Sequence, residues 1–527
     1  MQNTIADFVP TAVQTPAPAP TAATPQPFNA RIFVGVLGVF VAAMMSGLNN
    51  RIGGLSLIDL RGAAGIGADE GSWIVSLYSA FELAAMPFAA WFAVTLSFRR
   101  FHLGVVMIFA ALGLLTPYAS DMTTLLVLRS LQGFSGGLLI PVLMAAALRF
   151  FPLPLRLYGL ALYAMTATFS PNLATWLSAT YTDTLGNWHL AYWQVIPLAI
   201  FSIWAVAWGV PQDPVRLDRF RQINLPGLVT GVAGLVMLGL GLTQGERYDW
   251  FHDTRICWLF SAGIALTVVF LLTEWFHPLP FIKLQLLSRR NLGLGFSVFY
   301  VLIVVLLSGS LLPSAFLTHI HGFRTPYIAV LGLTVGIPQL VLGPFVSFLL
   351  YKRWMDARYM FAAGLLCMAM ACLIGSQVTS AWMASEFLAV QILQAIGQPM
   401  AVISTLFLAT SVVQPMEGPV ISGIVNVLRA LGTVSGAAIV ERLIVVREHV
   451  HANVLLDRAV RVGAGVEPLH GGANGSLPHL AERIVHQAFV LSIADAYLVL
   501  GLLAVALVPF VLNLQYIKPP ALNKPSN

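Results

Sequence analysis

Apolar residues run through this chain in blocks long enough to cross a lipid bilayer, separated by short polar punctuation. A helix rising about 1.5 Å per residue needs roughly 20 apolar residues to span a hydrocarbon core about 30 Å thick. Scanned at that length, the pattern predicts helices near 33–58, 72–93, 101–118, 122–148, 157–180, 191–210 and 226–244. Seven more follow near 255–276, 292–316, 327–350, 359–377, 383–411, 418–443 and 490–514. Gly and Pro interrupt them at the frequency that membrane helices tolerate. The expected fold class is therefore all-α and integral to the membrane, with fourteen transmembrane helices.

Charge sets the expected orientation. With the N-terminus in the cytoplasm, the short inner loops hold thirteen Lys and Arg, among them Arg99, Arg100, Arg149 and Arg156. The short outer loops hold four: Arg61, Arg247, Arg255 and Arg324. Basic residues accumulate on the cytoplasmic side of short loops, so both termini are expected inside, in the inner (cytoplasmic) membrane. The segment 444–489 is expected as one large external loop, whose tract GGANGSLPHLAERIVHQAF reads as a flexible stretch and then a short amphipathic helix. Residues 1–28 are rich in Pro, Ala and Thr, lack Lys and Arg, and read as a disordered tail and not as a cleavable signal.

The chain is 58% hydrophobic and 9% charged, against roughly 45 to 50% and about 25% in soluble domains, so the bilayer is its solvent. The net charge of +6 is spread over short loops and argues for topology and against nucleic-acid binding. Cys257, Cys367 and Cys372 lie in apolar runs without metal or redox spacing, so no metal and no cofactor is expected. No Walker-type phosphate loop is present, which excludes ATP-driven pumping within this chain, and nothing points to an enzyme.

Arg129 stands inside an otherwise uncharged run from Leu125 to Leu148. A guanidinium there costs on the order of 3 kcal/mol on insertion scales, so an intramembrane charge is a functional-site candidate by default. Glu82 is the one acid deep in the first six spans, at a depth similar to Arg129 and Arg51. Burial favours its neutral acid and a neighbouring guanidinium its carboxylate, which makes Glu82, Arg129 and Arg51 the candidates for proton coupling. A static Glu–Arg pair stapling helices is the alternative. The stretch LVLRSLQGFSG recurs as LAVQILQAIGQ 262 residues later, aligning Arg129 with Gln391 and Gln132 with Gln394. That repeat divides the chain into two six-helix halves with two inserted helices, and secondary transporters place their sites between such halves. The expected division is a cytoplasmic tail at 1–30, a six-helix bundle at 31–210, linker helices at 211–280, a second bundle at 281–515 and a cytoplasmic tail at 516–527.

Three stretches carry a family resemblance: LRSLQG at 128–133, NWHLAYWQVIP at 187–197 and LPGLVTGVAGLVMLGLGLTQGERYDW at 225–250. With them the chain resembles the fourteen-helix drug:proton antiporters of the major facilitator superfamily, the EmrB/QacA-like group. The resemblance implies that fold, alternating access, export of small amphipathic compounds and exchange with protons. It also implies gating roles for Arg99, Arg100 and Pro171 and, in Gram-negative relatives, a periplasmic adaptor as a partner. The chain departs from the family where Asn49 replaces an Asp in span one, where Ala90 and Val94 replace the Gly and Asp of the second-to-third loop, and in FSPNLAT of span five.

Candidates for substrate contact are Asn49, Gln132, Tyr163, Asn172, Gln391, Gln394 and Arg429. Buried glutamines also hold membrane helices together without touching a cargo. Three functions follow: a proton-coupled exporter of toxic amphiphiles, a dedicated exporter of one metabolite such as a siderophore or antibiotic, and a non-transporting membrane sensor. The lack of a sizeable cytoplasmic domain speaks against the third.

Overall fold

The computed structural model describes residues 28–517 except 120, 153, 353–354, 412, 414–416 and 462–475. The expected N-terminal tail, most of the expected C-terminal tail and the glycine-rich part of the expected external loop lie outside the described residues. Fourteen long helices follow in order: α1 (Ala30–Leu55), α2 (Ala68–Thr95), α3 (Phe98–Leu115), α4 (Met122–Phe150), α5 (Arg156–Ala179), α6 (Leu190–Gly209) and α7 (Leu225–Gln244). The rest are α8 (Thr254–Phe276), α9 (Arg290–His321), α10 (Thr325–Tyr351), α11 (Ala357–Gly375), α12 (Leu388–Thr410), α13 (Gly418–Arg461) and α14 (Ser476–Leu512). Among the described residues thirteen of these are long and apolar enough to cross a membrane. The exception, α5, carries Thr166, Thr168, Ser170, Asn172, Thr175 and Ser178, and it lies inside the bundle against α1, α10 and α12, where all of these but Ser170 hydrogen-bond within the protein.

Helix starts are set by side-chain caps that take up otherwise unpaired N–H groups. Asn29 accepts from the Ile32 N–H at 3.0 Å at the start of α1, and Asn224 accepts from the Gly227 N–H at 2.9 Å at the start of α7. Asp121 accepts from the Thr124 N–H at 2.7 Å at the start of α4, and these hydrogen bonds hold its carboxyl below the usual carboxylate range.

Helices α1–α6 form one bundle and α9–α14 the other. The halves meet through α5 against α10 and through α2 against α13. Under the repeat, α2 corresponds to α10 and α5 to α13, so the two contacts are the same contact made twice. The inserted helices α7 and α8 pack on each other, and α7 lies against α2 and α13 on the outside of the bundle. The start of α1 and the end of α14 share one end of the bundle: Arg31 donates to the Trp208 carbonyl, Arg149 pairs with Asp213, and Arg290 donates to the Asn513 carbonyl.

The expected external loop at 444–489 is corrected in its described parts. Residues 444–461 continue α13 without a break, and α14 already starts at Ser476. With 44 residues, α13 is roughly 66 Å long, about twice the hydrocarbon core, so its second half stands clear of the membrane. That extension is tied to α14 by Asp495, which accepts from Arg447 Nε at 2.6 Å and pairs with His451 Nε2 at 2.7 Å.

The closest backbone approach near the buried charges lies between α2 and α4. Gly133 and Gly137, four residues apart on α4, face Tyr78 and Glu82, four residues apart on α2. A Cβ at Gly133 would stand 2.9 Å from Tyr78 Cα, and one at Gly137 would stand 2.9 Å from Glu82 Cα. Small residues at this spacing let membrane helices touch backbone to backbone. Gly137→Leu forces α2 off α4 and is expected to cost about 1–3 kcal/mol, as overpacking does. A melting temperature of purified protein unchanged from wild type would show that the contact is not needed.

Candidate functional site

The glycine contact holds a polar cluster in the middle of the first half. Glu82 is 7% exposed and sits fourteen residues into α2, roughly 21 Å from its start. Its Oε2 accepts from Asn50 Nδ2 on α1, and its Oε1 accepts from Ser46 Oγ at 3.4 Å. No cation lies within ion-pair distance of Glu82 among the described residues, so the static Glu82–arginine pair expected as an alternative is not formed. Its neighbours on α1 are an amide and a hydroxyl in place of a guanidinium.

Arg129, on α4, is fully buried. Its Nη1 donates to Gln132 Oε1 at 2.7 Å, three residues along the same helix, and its guanidinium lies 4.2 Å over the Tyr78 ring and 5.6 Å from the Tyr192 ring. Cation–π contact of this kind is worth about 2 kcal/mol when desolvated. Gly53 on α1 makes room for it, because a Cβ there would stand 2.5 Å from Arg129 Nη2. All these partners belong to the first half.

A second polar cluster crosses between the halves. Arg429 on α13 donates from Nη1 to Thr166 Oγ1 on α5 at 2.7 Å and lies 5.4 Å from the Tyr163 ring. Tyr163 in turn donates to Asn426 Oδ1 at 2.9 Å. Asn426 and Arg429 are three residues apart, on one face of α13.

A cavity of about 1040 Å³ opens between the halves at the end of the bundle away from the chain termini. Its walls come from α1, α5, α9, α10, α12 and α14 with the adjoining loops and include Arg51, Asp59, Pro171, Asn172, Arg324 and Gln391 beside apolar Leu55, Leu311, Ile328 and Leu331. At the opposite end the halves are joined: Tyr351 OH accepts from the Leu157 N–H at 2.9 Å, Ser347 Oγ donates to the Leu157 carbonyl at 3.2 Å, and Ser422 Oγ donates to the Pro141 carbonyl at 2.5 Å.

The expected site residues divide among these places. Arg51, Pro171, Asn172 and Gln391 line the cavity. Arg51 is exposed there and does not engage Glu82 by hydrogen bond or ion pair. Asn49 is fully buried next to the Tyr78 hydroxyl, away from the cavity wall. Gln132 holds Arg129, and Tyr163 and Arg429 lie in the seam between halves. Gln391 donates to the Gly309 carbonyl at 3.0 Å and Gln394 to Ser308 Oγ at 2.8 Å, both on α9. Ser308 and Gly309 stand 262 residues beyond Ser46 and Gly47, the same offset as Gln391 from Arg129. Arg99 is half-buried and Arg100 exposed at the start of α3, and neither has an ion-pair partner among the described residues. Glu386 is exposed just before α12, where the Met383 N–H and the Ser385 hydroxyl hold its carboxyl below the ordinary range.

Sequence reasoning passed over Asn50, Ser46, Thr166 and Asn426. The signal for Asn426 was present: a polar residue one helical turn before a buried arginine in an apolar helix. Asn50 carried none beyond its place beside Asn49.

A family model described as Major Facilitator Superfamily matches residues 38–437. The fatty acid resistance protein FarB of Neisseria gonorrhoeae is 23% identical over 504 residues, covering 92% of this chain and 96% of that protein. The colistin resistance protein EmrB of Acinetobacter baumannii is 24% identical, with 77% and 78% covered. The multidrug export protein EmrB of Escherichia coli is 21% identical, with 62% and 63% covered. Among solved structures, the human organic anion transporter MFSD10 has a TM-score of 0.51 at 15% identity, covering 90% of this chain and 99% of that one. The partially occluded, inward open xylose transporter XylE of Escherichia coli has a TM-score of 0.53 at 12% identity, covering 94% and 100%. The solved structures speak for the fold alone. The chain belongs to the major facilitator superfamily, and among its members it is similar to proteins named for resistance to fatty acids, colistin and multiple drugs. It is a multi-pass membrane transporter of small molecules.

The neighbouring glycines of α1 separate a site effect from a general one. Gly53→Ala pushes the Arg129 guanidinium off its place, whereas a Cβ at Gly54 meets only Val75 Cγ1, at 3.8 Å. Gly53→Ala is expected to lower transport about tenfold and Gly54→Ala less than about twofold, since sub-ångström misplacement of a buried charge is costly. Equal transport by both variants in vesicles would show that the position of Arg129 does not matter.

Proposed function

We propose that this member of the major facilitator superfamily exports small amphipathic compounds in exchange for protons by alternating access, with Glu82 as the proton carrier. The observation that carries the reading is a buried carboxyl group that forms no ion pair among the described residues and is held by Asn50 and Ser46 on α1. An intramembrane acid without a fixed partner can change charge without breaking a structural ion pair. Asn50, the partner of the carboxyl group, adjoins Arg51, which lines the cavity.

The charge asymmetry of the short loops puts both termini in the cytoplasm. In that orientation the cavity opens to the outside, and the Tyr351–Leu157 and Ser422–Pro141 contacts close the cytoplasmic side. Protons then reach Glu82 from the outer face, and rocking of the halves exposes it inward. A volume of about 1040 Å³ suits a drug-sized amphiphile held by apolar walls and a few polar groups. Relatives named for resistance to colistin, to fatty acids and to multiple drugs support the exporting direction. The extension of α13 and α14 is the outer surface available to a periplasmic adaptor.

A second reading is export of one anionic metabolite. Arg51 and His319 in the cavity favour it, although Asp59 also lines it and Arg324 there is paired with Asp183; Asn49, where the family has a carboxylate, favours it too. Under that reading Arg51→Ala raises the KM for anionic amphiphiles about tenfold and leaves cationic ones within about twofold, because it removes one substrate-binding charge. Equal effects on both classes in proteoliposomes would reject it.

Glu82→Gln tests the leading reading. Reconstituted with a panel of cationic, neutral and anionic amphiphiles, it is expected to lose transport driven by a proton gradient at least about tenfold while keeping substrate exchange within about twofold. Full substrate-driven proton movement in this variant would remove Glu82 from the mechanism.

A further inference from the structure

Glu82 and Arg429 are both buried, and neither forms an ion pair among the described residues. They belong to different halves, yet they lie level with each other. Helices α2 and α13 run antiparallel and touch where a Cβ on Gly423 would stand 3.4 Å from the Pro87 carbonyl oxygen. From that contact Arg429 is six residues along α13 and Glu82 five residues back along α2, so both rise roughly 8–9 Å in the same direction. The apolar contacts agree: Leu83 and Ala84, next to Glu82, pack with Val427, Ala430 and Leu431, which flank Arg429.

Arg129 also acts electrostatically on Glu82, but it cannot change its distance from it. Its partners Gln132, Tyr78 and Gly53 all lie in the first half, and the glycine contact locks α4 onto α2. Arg429 rides on the second half and is held against the first by one hydrogen bond, to Thr166 Oγ1, and by the Tyr163 ring beside it. Any rocking of the halves moves Arg429 relative to Glu82.

We infer that Arg429 is the mobile counter-charge of Glu82, parked on Thr166 when the cavity is open and shifted onto the carboxylate when the halves rock. The inference rests on Glu82 being the proton carrier. In the open state Glu82 keeps its proton and needs no cation. When Arg429 arrives, the Glu82 O–H bond breaks, the proton leaves to water on the newly opened side, and the guanidinium keeps all its protons. The return swing withdraws Arg429 to Thr166, and the carboxylate takes up a proton from the outer cavity. The groups facing Glu82 are Arg429 from α13, Arg129 from α4, Tyr78 on its own helix, and the uncharged Asn50 and Ser46 from α1. Arg429 is thus a positioning residue for proton exchange and not a substrate contact.

The test needs no knowledge of the substrate. Spin labels at Ile58 and Tyr327, both exposed at the cavity end of the bundle, report the width of its mouth by pulsed electron resonance. The full-length chain is used in nanodiscs, with its three cysteines replaced by serine. In wild type the narrow-mouthed population is expected to change at least about fivefold between about pH 5.5 and about pH 8.5. Glu82→Gln and Arg429→Gln each flatten that response, the double variant is no flatter than either, and Arg429→Lys keeps at least about half of it. Loss of the response in Glu82→Gln with a full response in Arg429→Gln overturns the counter-charge and leaves the proton carrier standing. A full response in Glu82→Gln overturns the proton carrier itself, and a wild type insensitive to pH overturns both.

Discussion

A bilayer offers no hydrogen bonds, so every polar group within it must find its partner inside the protein. That constraint arranges this molecule from the level of single side chains upward. Hydroxyls of the buried helices turn back to carbonyls of their own helix, as Thr95 does to Trp91 and Thr405 to Ala401. Polar helices such as α5 are drawn to the centre, and apolar ones such as α8 are left facing lipid. The groups that cannot be satisfied locally, Glu82, Arg129 and Arg429, are gathered where helices from several directions converge.

Close packing and charge placement are one feature seen from two sides. Gly133 and Gly137 bring α4 against the α2 backbone, and the same contact sets Arg129 over Tyr78 and fixes Glu82 beside Asn50. A bulkier residue at either glycine would move the carboxyl group and the guanidinium apart together. The first half thereby acts as a rigid carrier of charge, and the seam to the second half combines helix packing with hydrogen bonds such as Tyr163 to Asn426, Arg429 to Thr166 and Ser422 to Pro141.

The helices were legible because lipid demands the same thing of every span, a length and an apolar surface. The extension of α13 was missed because its charges read as loop, yet charge does not oppose a helix that has left the membrane. Val446, Val450 and Val454 recur every fourth residue there, as do Arg447 and His451, and this period was the available signal. Within the site, Glu82 and Arg129 stood out because an intramembrane charge is expensive. Their partners did not, since Asn and Ser are common glue between membrane helices. The separation of Asn49 from Arg51 was also readable: two residues turn a helix by about 200°, so one faces the core and the other the cavity.

The repeat shows where the chemistry has been concentrated. At corresponding places the first half carries Arg129, Gln132 and Ser46, and the second carries Gln391, Gln394 and Ser308. In the second half the amides settle among themselves and α9: Gln391 on the Gly309 carbonyl, Gln394 on Ser308, Gln398 on Gln394. Neutral amides have no net charge to exchange, so that cluster can hold helices but cannot sense a proton. The first half keeps the titratable group and its fixed arginine, and the second contributes one charge, Arg429, at the seam. Two equally charged halves would have to move opposed charges past each other with every swing. Under the proposed exchange, confining the acid to one half and the buried cation that meets it to the other leaves one pairing to make and break, across the seam between the halves.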